Sequence, residues 1–137
     1  MRFGVVGSLV LTIGFALAAA PAWAHHSFAA AFDSAQPLTI KGVIKEVRLQ
    51  NPHSFFFLEA TDENGKKVTW SFEAATPTSL IRSGYKPGTL KAGDVVTIKG
   101  FHARDPHASF GAVREIITED GRSFVVGPAA ADDSKPY

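Results

Sequence analysis

Residues Ser54 to Ala74 read Ser-Phe-Phe-Phe-Leu-Glu-Ala-Thr-Asp-Glu-Asn-Gly-Lys-Lys-Val-Thr-Trp-Ser-Phe-Glu-Ala, and this stretch decides the fold. Val68, Trp70, Phe72 and Ala74 alternate with Thr69, Ser71 and Glu73. Successive side chains on a strand point to opposite faces, so this segment reads as a strand with one apolar face. Just upstream, Ser54 to Ala60 is a second strand carrying Phe55, Phe56, Phe57 and Leu58. Three phenylalanines in a row cannot all face one side, so at least one covers a second face or meets another segment. Asp62-Glu63-Asn64-Gly65 lies between the two strands, and Asn-Gly is a strong short-range hairpin signal.

Working outward, Leu38 to Gln50 is the strand before this hairpin. Leu38, Ile40, Gly42 and Ile44 share one phase, which slips to Val43, Val47 and Leu49. A glycine at the slip predicts a bulge or sharp bend, so one long strand serves both halves of a small barrel. After the hairpin the period changes. Thr76 is a good N-cap, Pro77 suits the first helical position, and Gly84 can close a short helix. Val95 to Phe101 reads as a fourth strand, and Ala112 to Thr118 as a fifth. His102 to Ser109 is the loop between them, and Asp120-Gly121 turns the chain into a last short strand, Ser123 to Val126. Three strands, a helix, two strands and a hairpin arm give the element order of an OB-like five-stranded β-barrel, spanning residues 38–127. Residues 25–37 form an arm before it, and 128–137 read as a flexible tail.

The first 24 residues read as an export signal. Arg2 precedes an apolar stretch from Phe3 to Ala20, Pro21 interrupts it, and Ala22-Trp23-Ala24 is a small-x-small cleavage site. The apolar stretch approaches a membrane-spanning length, but glycines and polar residues dilute it and no basic stop-transfer cluster follows. The expected location is therefore periplasmic or secreted, with no membrane attachment after cleavage. Taking 24 of the 137 residues leaves 113, enough for one domain. Without Arg2 the 14 basic residues become 13, matching the 13 acidic ones. Export and neutrality together argue against a nucleic-acid partner. The chain has no cysteine, so it has no disulfide, no thiolate metal site and no thiol nucleophile.

Cleavage after Ala24 would expose His25-His26-Ser27-Phe28 as a new amino terminus. This start, with Phe32-Asp33, the later Asn51-Pro52-His53, and Pro87 to Gly100 containing Gly-Asp-Val-Val-Thr-Ile-Lys-Gly, resembles a family of small exported bacterial proteins of unknown function. The likeness runs from His25 to about Gly127. The resemblance implies an exported barrel-like domain and marks His25, His26 and His53 as its signature histidines. It implies no activity. The loop holding His102 and His107 departs from the pattern, which makes those two the weaker candidates.

These residue types together point to copper(II). In a histidine brace, the His25 amine and a ring nitrogen chelate the metal and His53 supplies a third nitrogen. Alternatively the amine, the next amide nitrogen and the His26 ring form a tridentate chelate. Tetragonal copper(II) suits both nitrogen sets, and both need the cleaved amine. Zinc held by His26, His53 and Asp33 is a further option. The arm can reach His53 by folding back alongside the first strand, anchored by Phe28 and Phe32 on one face of a helical turn capped by Ser27. His102 and His107 are expected in the loop near the same rim. No phosphate loop, nucleophile elbow or metalloprotease helix is present, so the reading leans away from an enzyme. The bland alternative is a metal-free module that binds a peptide, a small ligand or an envelope protein.

Overall fold

The structure is a computed structural model and describes residues 28–127. Its elements are α1 (Phe28–Ala31), β1 (Phe32–Arg48), β2 (Phe55–Thr61), β3 (Lys67–Glu73), α2 (Pro77–Arg82), β4 (Val95–Ala103), β5 (Phe110–Thr118) and β6 (Ser123–Val125). The sheet order is β3-β2-β1-β4-β5-β6, and an additional parallel pairing of β3 with β5 closes the first five strands into an OB-like barrel. One short helix lies between β3 and β4, and β6 is the extra arm of a hairpin with β5.

β1 explains how so short a chain closes a barrel. Its first half pairs antiparallel with β4, from Phe32 opposite Ala103 to Val43 opposite Val95. Its second half pairs with β2, from Val43 opposite Glu59 to Arg48 opposite Phe55, with a bulge between Ile44 and Glu46. Gly42 sits at this handover. A Cβ there would lie 2.3 Å from the Glu59 carbonyl oxygen, so only glycine lets the strands approach this closely. Gly100 plays the same part beside a bulge in β4, where a Cβ would fall 1.9 Å from the Ala112 carbonyl oxygen.

The interior is filled by the apolar phases of the strands. Ile44, Phe56, Leu58, Phe72, Val96, Ile98, Val113 and Ile116 are all fully or almost fully buried. Tyr85 seals one part of this core, edge-on to both Phe56 and Phe124 at 5.6 and 5.7 Å. It is placed by the end of α2. The Thr76 hydroxyl accepts from the Ser79 amide, while Gly84 at φ 95° lets the Gly84 and Tyr85 amides bond back to Ile81 and Leu80. β6 then runs into Val126, whose carbonyl accepts from Ala75 and whose amide donates to Arg114. This stitch fills the wall where β3 has ended.

Of the strand limits that differ from the sequence reading, two bear on the candidate site. β1 begins at Phe32, not Leu38, so residues 32–37 of the expected arm belong to the strand. The polar run Asp33 to Gln36 hid this. It bulges out of the ladder, because the register shifts between Phe32 and Pro37 and Asp33 ties itself to the Ala35 amide and the Gln36 side chain. β4 continues to Ala103, which takes His102 out of the loop and into a strand.

Candidate functional site

His53 ends the turn between β1 and β2, after a cis Asn51–Pro52 peptide. It begins a row with Phe55, Phe57 and Glu59 that alternates with buried Ser54, Phe56, Leu58 and Ala60. The row therefore lies on the outer face of the barrel. Phe55 and Phe57 stand 6.4 Å apart, and the Arg48 guanidinium lies 4.9 Å from the Phe57 ring centre. The strand beside this row is β3, with Glu73 opposite Phe55 and Ser71 opposite Phe57.

That register brings Glu73 to His53. Nδ1 of His53 lies 3.2 Å from Glu73 Oε1, a close electrostatic approach that falls short of hydrogen-bond alignment. Nδ1 itself is buried while the side chain is 43% exposed, so the exposure falls on the rest of the ring. Glu73 is 20% exposed. A carboxylate beside one ring nitrogen favours the proton there and leaves the other nitrogen as a lone-pair donor. Ser54, the next residue, turns inward. Its hydroxyl is buried with no hydrogen-bond partner among the described residues, and in the nearby core burial pushes the Tyr85 hydroxyl pKa up.

On the other side of β3 lies β5, with Glu73 opposite Ala112 and Ser71 opposite Phe110. Here α1 covers the barrel. Phe28 meets Phe101 edge-on at 5.9 Å and Phe32 at 5.1 Å, and Phe32 meets Phe110 at 5.3 Å. Phe32, Ala103 and Ala112 form a second, small buried cluster outside the barrel wall. Phe28 and Phe32 are thus the anchors their spacing predicted. Their footing is β4 and β5, however, and not the flank of β1. Residues 32–37 of the arm become the start of β1, so they cannot also lie alongside it.

The remaining candidates are scattered. His102 lies in β4 opposite Gly111 and turns inward, its ring edge-on to Trp70 at 5.4 Å and its Nδ1 2.7 Å from the Ala103 carbonyl oxygen. The barrel wall separates it from the outer face that carries His53. His107 is exposed in the β4–β5 loop, its amide bonded to Asp105. Asp33 is engaged with Gln36 and Ala35, and these bonds hold its carboxyl below the usual range, with the Arg104 charge adding to them. Among the described residues no group of three or more histidine or carboxylate side chains could hold a metal ion. His25 and His26 lie outside the described residues, as do the Ser27 cap, the leader and the tail.

Two residues escaped the sequence reading. Glu73 read only as a polar residue opposite the apolar face of its strand. The hairpin register was the available signal, because it sets Glu73 opposite Phe55, two places from His53. Arg104 carried no signal at all, yet its side chain reaches across to α1. No curated protein and no solved structure matches the chain. One family model does match, over residues 14–111: a family of unknown function (DUF6152).

Proposed function

The chain belongs to the DUF6152 family of unknown function, and on that premise we propose that it is an exported protein that binds copper(II) through its own mature amino terminus. The observation that carries this reading is where the first described residues dock. Phe28 packs on Phe101, Phe101 pairs with Ala112, and Ala112 pairs with Glu73, the neighbour of His53. Two strand spacings amount to about 10 Å. The three residues from Phe28 back to His25 span up to about 10 Å. That span reaches as far as Glu73, whose carboxylate lies 3.2 Å from His53 Nδ1, which supports an approach of His25 to the His53 side chain.

The chemistry follows from the donors. The His25 amine and one of its ring nitrogens would form a chelate, and His53 would add a nitrogen through its Nε2. Glu73, 3.2 Å from Nδ1, would serve as the outer carboxylate that orients His53 as a ligand. Such a set suits tetragonal copper(II), taken as cargo for storage, delivery or sensing. The amine–amide–His26 chelate is the mode that needs no His53. Both modes require export and cleavage after Ala24.

Copper titration of the mature chain tests this reading. Acetylating the His25 amine, which both modes need, should weaken binding at least tenfold, or about 1.4 kcal/mol. His53→Ala should weaken it further only if the brace forms. Equal and weak affinity in all three proteins would refute copper binding. A second reading, a metal-free module for a peptide, small ligand or envelope protein, has the outer row of Phe55 and Phe57 under Arg48 behind it. It gains by that same negative result. Amino-terminal sequencing of the exported protein checks the premise, since a start other than His25 removes the amine site.

A further inference from the structure

The stretch from His102 to Ser109 stands out in the sequence for its two histidines, and neither has a role in the site described above. Between them lies Arg104, whose side chain reaches across to α1. Its Nε donates to the Ala29 carbonyl at 2.5 Å, and its backbone amide donates to the Ala31 carbonyl at 3.0 Å. A helix as short as α1 leaves its carbonyls without partners inside the helix, so these two bonds close its end from outside. The loop is itself braced. Asp105 accepts from the His107 amide through its side chain and from the Ala108 amide through its carbonyl. Arg104 therefore stands at the rooted end of a tied turn.

The geometry points to Arg104 as a positioning residue that clamps the amino-terminal segment onto the barrel, and so holds the mature terminus in reach of His53. The phenylalanine contacts of α1 are apolar and non-directional, so they set its distance from the wall. The Arg104 bonds are directional and fix which way the segment runs. The second half of this assignment rests on the copper reading above, while the clamp itself does not. The guanidinium matters for its geometry as well as its charge. Lysine keeps the charge but replaces a planar fork with a single flexible point donor.

The test uses the mature chain with Arg104→Ala and Arg104→Lys. Without metal, chymotrypsin cleavage after Phe28 reports how often the segment lifts off. Arg104→Ala should raise that rate about tenfold at an unchanged melting temperature, and Arg104→Lys should restore part of the difference. With copper, Arg104→Ala should lower the affinity of the wild-type site but not that of His53→Ala protein, where only the His26 chelate remains. Unchanged cleavage in Arg104→Ala overturns the clamp, as does a rise in cleavage matched by a fall in global stability. Faster cleavage with copper affinity unchanged in an otherwise copper-binding protein overturns the positioning role. Faster cleavage in a chain that binds no copper even as wild type keeps the clamp and sinks the copper reading instead.

Discussion

Phe72 lies inside the barrel and Phe32 outside it, yet both are buried to within 2% of full cover. Phe72 is walled in by strands on every side of a core that includes Ile44, Phe56, Leu58, Ile98 and Val113. Phe32 is covered by one helical turn, with Ala103 and Ala112 beneath it and Phe28, Ala31, Ala108 and Phe110 around it. Equal burial therefore means different things. The interior can be exposed only by opening the barrel, whereas the outer cluster can be exposed by lifting a few residues. Regions of the second kind open at lower free energy, and functional segments are drawn from them.

The largest expected effect comes from breaking the interior. Phe72→Ala should cost about 3–5 kcal/mol of global stability, read from chemical denaturation. Phe32→Ala should cost less than half as much, about 1–2 kcal/mol, because the segment can lift instead of leaving a void. It should also speed chymotrypsin cleavage after Phe28 and weaken copper binding. If the two substitutions cost the same, the outer cluster is part of the cooperative core and the comparison fails. A smaller effect is expected at the site itself. Glu73→Gln should leave stability within about 0.5 kcal/mol. The same substitution should lower copper affinity about tenfold, and histidine nitrogen shifts in the metal-free protein should show loss of the Nδ1–H tautomer preference at His53.

The smallest effect is on acid stability and concerns the β5–β6 edge. The Ser123 hydroxyl donates to Glu115 at 2.5 Å, and with Lys99 nearby it holds the Glu115 carboxyl below its usual pKa. A depressed native pKa stabilises the fold above the unfolded value of about 4.3, and that contribution is lost as pH falls through the native pKa. Ser123→Ala should therefore lower stability slightly at neutral pH, and by less once acid has protonated Glu115. A difference that persists unchanged in acid would point to packing as the cause.

How much of this could be read in the sequence varied with how local the signal was. The Val68, Trp70 and Phe72 alternation, the Asn64-Gly65 turn and the Thr76-Pro77 helix start are each set by neighbours within a few residues. So is the glycine at the phase slip of the first strand, and together these reveal the barrel. The start of β1 was hidden because Asp33 to Gln36 leave the ladder, so no alternation marks them. The inward turn of His102 depended on β4 running two residues further, against Trp70 on a strand remote in sequence. At the site, His53 was legible as a candidate but its partner was not. A strand carboxylate shows nothing by itself until the pairing register is known.

The parallel seam between β3 and β5 also sets a schedule. Only three register pairs form it, from Ser71 with Phe110 to Glu73 with Ala112, and Val126 completes the wall beyond. Both partners of the seam are remote in sequence, so its loop-closure entropy must be overcome before the contacts return anything. A chain emerging amino end first can form the β1–β2–β3 meander early, but it cannot close the barrel until residues 110–126 have followed. Through that interval β3 keeps an open edge, the kind that recruits other strands. Barrel closure should be the slow step in making this protein, and the period before it is when the protein is most exposed to aggregation.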